Sequence, residues 1–225
     1  MQARVAAACA AAGRDVSEIT LIAVTKTRPA EDVAALAGLG LTDFGENRDQ
    51  EAAPKAAAVA EATSARVRWH FIGQLQTNKA HSVVKYASVV HSVDRVRLVR
   101  ALGSASRAAT ATGAAPITCL VQVSLDGDPT RGGALISQLP EIAAAIEAEQ
   151  GLALGGVMAV APLGVAPEVA FASLPAISDT AREISPAATI ISAGMSGDLE
   201  AAVRNGATHL RIGTALLGNR SLPVL

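Results

Sequence analysis

Short runs of aliphatic and β-branched residues alternate with alanine-rich stretches of helical length, and the alternation recurs along the whole chain. The short runs fall at 19–24, 41–44, 67–72, 88–91, 117–123, 154–160, 189–191 and 209–212. Between them, 29–39, 47–60, 76–86, 94–111, 133–149, 167–184 and 197–205 read as helix. Strands separated by helices of this length form βαβ units, and such units build a parallel sheet. A strand covered on both faces shows a near-continuous apolar run instead of alternation, as Leu21-Ile22-Ala23-Val24 does. Eight units in roughly 200–250 residues is the count of a closed (β/α)8 TIM barrel. The expectation is one barrel domain over residues 1–225. An open doubly wound sheet is the alternative, but it would carry GxGxxG after the first strand, where this chain has Val24-Thr25-Lys26-Thr27-Arg28.

Composition narrows the function. Half the residues are hydrophobic and only 2% aromatic, so the core is Ala, Val, Leu and Ile. With 19 basic and 20 acidic residues, the net charge of −1 leaves no one-signed field to draw nucleic acid or an anionic membrane. Cys9 and Cys119 stand far apart and outside any CxxC pattern, which fits a reducing compartment and no metal cluster. The alanine-rich start, with Arg4, reads as a helix rather than a signal peptide. No run approaches the roughly 20 apolar residues of a membrane span. The expected location is the cytoplasm.

In a parallel barrel every residue just past a strand lies on the C-terminal rim, where sites are built. Those positions hold Lys26, then Gly45-Glu46-Asn47, Gly73-Gln74, Ser92-Val93-Asp94, the stretch 193–198, and Gly213-Thr214. Lys26 closes an apolar strand, where burial disfavours the ammonium form, and a neutral amine forms an imine with an aldehyde. The plainer reading, favoured by position alone, is a lysine that snorkels to solvent. Gly194 and Gly197 flank Met195-Ser196 just before a helix, so Ser196 suits an N-cap within a phosphate-binding turn, or an ordinary cap. Arg211 shares a strand face with His209 and Gly213 and needs an anion or acceptor partner, a structural salt bridge being the competing view. Asn47 reads equally as a ligand contact or a helix cap. His70 reads as a satisfied core histidine, His81 and His91 lack metal-ligand spacing with it, and Asp126-Gly127-Asp128 reads as a turn.

Several stretches match one family in order along the chain: Leu21-Ile22-Ala23-Val24-Thr25-Lys26-Thr27, Phe44-Gly45-Glu46-Asn47, Trp69-His70-Phe71-Ile72-Gly73 with Leu75-Gln76-Thr77-Asn78-Lys79, His91-Ser92-Val93-Asp94-Arg95, Gly194-Met195-Ser196 and Arg211-Ile212-Gly213-Thr214-Ala215. The chain resembles the pyridoxal phosphate homeostasis protein family, itself similar to the N-terminal barrel of alanine racemase. The resemblance implies that pyridoxal 5′-phosphate is the cofactor and that Lys26 carries it as a Schiff base. It implies Ser196, Gly213 and Thr214 as the phosphate cradle, Arg211 facing the pyridine nitrogen, and Asn47 near the cofactor. The chain departs from the family pattern in a shortened first helix and at Arg48, Asp49, Ala193 and Gly197, none of which is the lysine or the arginine.

An arginine against the pyridine nitrogen opposes its protonation, and an unprotonated ring is a poorer electron sink. Racemisation also needs acid–base groups on both faces of the substrate. In alanine racemase a second domain supplies a tyrosine for one face, whereas this chain ends at Leu225 and its one tyrosine, Tyr86, is poorly placed. The expectation is a cofactor carrier in vitamin B6 and amino-acid homeostasis without efficient catalysis. It would be a monomer whose partners are pyridoxal phosphate and apoenzymes that depend on it. A lone-barrel racemase and a Schiff-base aldolase working through Lys26 are the alternatives.

Overall fold

The computed structural model describes residues 1–111, 113–128 and 131–218. Helix α1 (Gln2–Ala11) leads into β1 (Thr20–Val24), followed by α2 (Ala30–Gly38), β2 (Asp43–Glu46), α3 (Asp49–Ala62) and β3 (Arg68–Phe71). Next come α4 (Ala80–Val83), β4 (Ala87–Val93), α5 (Val96–Ala111), β5 (Ile117–Gln122), α6 (Leu139–Ala148) and β6 (Leu152–Met158). The chain continues through α7 (Pro167–Phe171), α8 (Leu174–Ile184), β7 (Ile190–Ser192), α9 (Leu199–Arg204), β8 (His209–Ile212) and α10 (Thr214–Leu217). The strands pair in sequence order, all parallel, and β8 returns to β1 with Thr20 opposite His209 and Ala23 opposite Ile212. This is the closed (β/α)8 barrel that the alternation implied.

Two layers hold it. Outside the sheet, helices bury one face each; α5 presents Leu98, Val99, Leu102 and Ala105 at helical spacing. Inside the barrel, alternate strand residues meet, and the lumen divides by polarity. One half is apolar, with Val89, Leu120 and Met158 packed against Val160 and Ile190. The other half holds Asp43, His70, His91, Ser192 and Arg211, all buried, with His209 partly covered.

Three expected helices are shorter or broken. The stretch 76–86 is a 3-10 turn at Thr77–Lys79, then α4, then a turn that contains Tyr86. The stretches 133–149 and 167–184 each divide where a proline starts a new helix, Pro140 in α6 and Pro175 in α8, because proline lacks the amide an interior position needs. β4 runs on to Val93, and β6 stops at Met158, so Ala159 and Val160 belong to the rim.

Candidate functional site at the barrel mouth

Lys26, Asn47, Ser196, Arg211, Gly213 and Thr214 line one cavity of about 360 Å³ at the C-terminal ends of the strands. Val24, Ile72, Met158, Val160, Met195 and Gly197 complete its walls. Residues scattered over almost 190 positions thus meet because each lies within a few residues of the C-terminal end of a strand.

Lys26 is placed by the residue before it. The Thr25 amide donates to the Gly45 carbonyl at 3.1 Å, continuing the β1–β2 ladder. The Thr25 carbonyl accepts from Lys55 Nζ at 2.9 Å, and its hydroxyl donates to Glu46 Oε1 at 2.7 Å. Lys55 Nζ also bonds Glu46 Oε1 at 2.6 Å, which ties α3 to the ends of β1 and β2. Thr27 then turns the chain with φ 66°, the one positive φ outside glycine among the described residues. A β-branched residue is strained there, and such strain persists only where the surroundings impose it. Lys26 is half-buried, and among the described residues its amine has no hydrogen-bond or ion-pair partner.

Asn47 lies against the loop after β3, where Gly73 stands two residues past the strand. A Cβ on Gly73 would sit 2.1 Å from the Asn47 carbonyl oxygen. Asn47 Oδ1 is buried with no hydrogen-bond partner among the described residues. A buried acceptor left unmade is costly, so this atom is a place for a ligand donor.

The loop after β7 corrects the reading of Ser196. Helix α9 begins at Leu199 with Asp198 in the capping position, so Ser196 is not its N-cap. Instead, Asp198 Oδ1 accepts from the Met195 amide at 2.5 Å and folds the loop on itself. Gly194, with φ 92°, packs where a Cβ would lie 2.7 Å from Ala202 Cβ. The Ser196 carbonyl accepts from Arg4 Nη1 at 2.7 Å, and Arg4 also pairs with Glu200 at 2.6 Å. The Ser196 hydroxyl accepts from the Ala215 amide at 3.4 Å, which joins this loop to Gly213 and Thr214.

Arg211 forms the floor. Its Nη1 donates to the Ser192 carbonyl and hydroxyl, each at 2.7 Å, and Nη2 donates to the Ala159 carbonyl at 2.9 Å. No carboxylate pairs with it among the described residues, contrary to the structural salt-bridge alternative. Burial pulls its guanidinium down to about 10, which still leaves it cationic at neutral pH. Below it, Ser192 Oγ lies 2.9 Å from His91 Nδ1, His91 Nε2 lies 2.8 Å from His70 Nδ1, and His70 Nε2 lies 2.8 Å from Asp43 Oδ1. Strands β4 and β7 are not neighbours, so the Ser192–His91 bond crosses the lumen. Burial holds His91 well below the usual histidine range and lowers His70 despite its carboxylate neighbour. His209 falls to about 4, chiefly by burial.

Sequence reasoning missed Arg4, the Glu46–Lys55 pair, Ser192 and the lumen role of His91. Strand periodicity held a signal for the lumen: stepping back by two from Gly213, Gly45 and Ile72 reaches Arg211, Asp43 and His70. Tyr86 stands outside the cavity and donates to Asp49 Oδ1 at 3.4 Å, and burial pushes its hydroxyl up. Among the described residues no group of His, Cys, Asp and Glu could hold a metal.

A model of the alanine racemase N-terminal domain family matches residues 2–221. A pyridoxal phosphate homeostasis protein of Mycobacterium bovis is 46% identical over 235 residues, covering 99% of this chain and 91% of the relative. The chain belongs to the pyridoxal phosphate homeostasis protein family. A homeostasis protein of Escherichia coli is 35% identical over 96% of this chain and 92% of its own length. Among solved structures, PipY of Synechococcus elongatus with pyridoxal phosphate bound is 30% identical, with a TM-score of 0.81, covering 97% of this chain and 100% of that one. The alanine racemase of Corynebacterium glutamicum matches at a TM-score of 0.66 with 15% identity, and this family member spans 62% of that chain. The racemase likeness is one of fold.

Proposed function

We propose that this chain binds pyridoxal 5′-phosphate at the barrel mouth, anchors it covalently through Lys26, and serves as a reservoir or carrier without efficient catalysis. The observation that carries this is a single cavity shared by an amine without a partner among the described residues, two hydroxyl side chains beside glycine backbone, and a buried cation. Its volume of about 360 Å³ falls at the small end of the roughly 300–1,000 Å³ of ligand sites. The names of the curated relatives, and the cofactor in PipY, support the reading.

The residues present fit the cofactor. Asn47 Oδ1 is a buried acceptor in need of a donor. Arg211 spends three of its N–H groups on protein acceptors, out of the five a guanidinium has. When bound, the cofactor supplies an aldehyde that condenses with a primary amine and a ring that withdraws electrons. Lys26 presents that amine beside the cavity, held by the Thr25 clamp. The Ser196 and Thr214 hydroxyls and the backbone at Gly213 bind phosphate oxygens. Arg211, cationic at neutral pH, opposes a second positive charge on an adjacent ring nitrogen. Ile72, Met158 and Val160 keep water from the ring.

The cavity wall argues for holding over turnover. Lys26 and Arg211 are the titratable residues among those that line it. Proton transfer on both faces of a substrate carbon needs a second acid–base group, and Tyr86 is engaged elsewhere. We propose a single-barrel monomer as the working unit. No helix among the described residues is long and apolar enough to cross a membrane. We propose the cytoplasm as its location and cofactor-dependent apoenzymes as its recipients.

The test is borohydride reduction of protein loaded with pyridoxal phosphate, followed by peptide mass mapping. The adduct is expected on Lys26 and lost in Lys26→Ala. An adduct that maps to Lys55, Lys79 or Lys85 overturns the assignment. Turnover of L-alanine at the usual enzymic rate of about 1–1,000 per second overturns the carrier reading.

A further inference from the structure

We propose that Ser192, His91 and His70 are positioning residues, forming a hydrogen-bond chain of fixed direction through the barrel lumen that holds Arg211 under the ring site and ends on Asp43. The inference rests on the reading that Arg211 faces bound pyridoxal phosphate.

The direction follows from donor and acceptor rules applied from either end. A guanidinium only donates. Arg211 Nη1 therefore gives its hydrogen to Ser192 Oγ, which leaves the one serine hydrogen available for His91 Nδ1 at 2.9 Å. His91 Nδ1 then accepts, so the neutral ring carries its proton on Nε2 and donates to His70 Nδ1 at 2.8 Å. His70 in turn carries its proton on Nε2 and donates to Asp43 Oδ1 at 2.8 Å. Starting from Asp43 gives the same answer. Its carboxylate also accepts from Arg68 Nε at 2.5 Å and from the Thr42 hydroxyl, so it only accepts, and His70 must donate to it. With neutral rings the Asp43 end dictates one tautomer at each histidine, and the Arg211 end is satisfied by the same direction.

The charged and titratable groups around the chain oppose its reversal. His70 faces Asp43 on β2, Arg68 at the start of β3, His91 on β4 and His209 on β8. His91 faces His70, His209 and Arg211. A proton added to His91 would sit against the Arg211 cation and would turn Nδ1 into a donor towards Ser192. The buried serine hydrogen would then lose its acceptor. Arg211 thus keeps one geometry although it has no carboxylate partner among the described residues. Asp43 at the far end is already paired with Arg68, and the carboxylate that acts on the Arg211 charge is Asp198 in the loop after β7.

Two measurements test this. In the first, the full chain with 15N-labelled histidine, without cofactor, is examined by NMR from pH 8 to 5. His70 and His91, assigned from His70→Gln and His91→Gln, are expected to keep a protonated Nε2 and an unprotonated Nδ1 throughout, with exposed His81 as the reference signal. A protonated Nδ1 on either ring anywhere in that range, in the other tautomer or in an imidazolium, overturns the chain. In the second, protein loaded with pyridoxal phosphate is titrated by absorbance. His91→Leu is expected to move the pH midpoint of the bound cofactor by about one unit, a tenfold change in proton affinity. His91→Gln, which keeps a donor and an acceptor, is expected to restore at least half of that shift. Should His91→Leu not fold, Ser192→Ala reports the same link by removing one hydroxyl. An unmoved midpoint overturns the positioning role. If wild-type protein takes up no cofactor, the earlier reading fails, while the NMR result still decides the chain.

Discussion

Replacing Lys55 with methionine removes a cation at nearly constant volume and exposes how the lysine loop is held. Glu46 is fully buried, and its Oε1 takes bonds from Lys55 Nζ at 2.6 Å and from the Thr25 hydroxyl at 2.7 Å. Its Oε2 has no partner among the described residues. Lys55→Met therefore leaves a buried carboxylate with one hydrogen bond and no counter-charge, which costs about 3–5 kcal/mol. In a chain of this size each kcal/mol moves Tm by about 2–4 °C, so the expected loss is about 6–20 °C. The double variant Glu46→Gln/Lys55→Met removes both charges. Its glutamine can still accept from Thr25 Oγ1 and can donate to the Thr25 carbonyl that Lys55 vacated, so at least half the loss should return. Urea unfolding followed through buried Trp69, the one tryptophan, measures all corners of the cycle. A single-variant cost below about 1 kcal/mol, or a double variant less stable than Lys55→Met, would refute the idea that this pair is a coupled buried clamp. Because the clamp grips Thr25, the single variant should also slow covalent capture of pyridoxal phosphate at Lys26.

His209 lies at about 4 in the folded barrel against 6.5 for the free side chain. Between those values the unfolded chain holds the extra proton, so stability rises with pH across that window and falls on acidification. At pH 5 this amounts to at most about 2 kcal/mol, and His209→Gln should flatten the pH dependence of the urea midpoint between 7.5 and 5; parallel slopes for the two proteins would count against it. Gly73→Ala forces a Cβ to 2.1 Å from the Asn47 carbonyl, so we expect a loss of about 1–3 kcal/mol and at least tenfold weaker cofactor binding by equilibrium dialysis, with unchanged binding as the contrary result. Arg4→Ala should change stability by less than about 1 kcal/mol, since its pair with Glu200 is 38% and 42% exposed. It should nonetheless weaken cofactor affinity about two- to tenfold, the worth of one hydrogen bond to the Ser196 loop, and equal affinity in both proteins would dismiss that role.

The barrel was legible because parallel strands covered on both faces leave short apolar runs, and the mouth residues were legible because they lie at or shortly past the ends of those runs. Lys26, Asn47, Ser196, Arg211, Gly213 and Thr214 could be gathered from topology before any coordinate was known, and they do meet. The lumen was harder to read. His91 and Ser192 are 101 residues apart on strands that do not pair, so no local pattern announces their bond. Ser196 was misplaced as a cap because a glycine-flanked serine before a helix looks the same whether the helix starts at once or three residues on. The broken helices follow from Pro140 and Pro175, whose preference for a first turn reads as continuation when the neighbouring residues are alanine-rich.

The cavity draws Lys26 from the first strand and Arg211, Gly213 and Thr214 from the last, and β8 closes directly on β1. A chain still emerging from the ribosome holds the amine long before it holds the cradle, so it has nowhere to lodge a reactive aldehyde. On the proposed assignment of Lys26, capture waits for the seam to shut. Any small molecule gripped by both sides then acts as a staple across that seam, adding RT ln(1 + [L]/Kd) to the stability of the finished barrel.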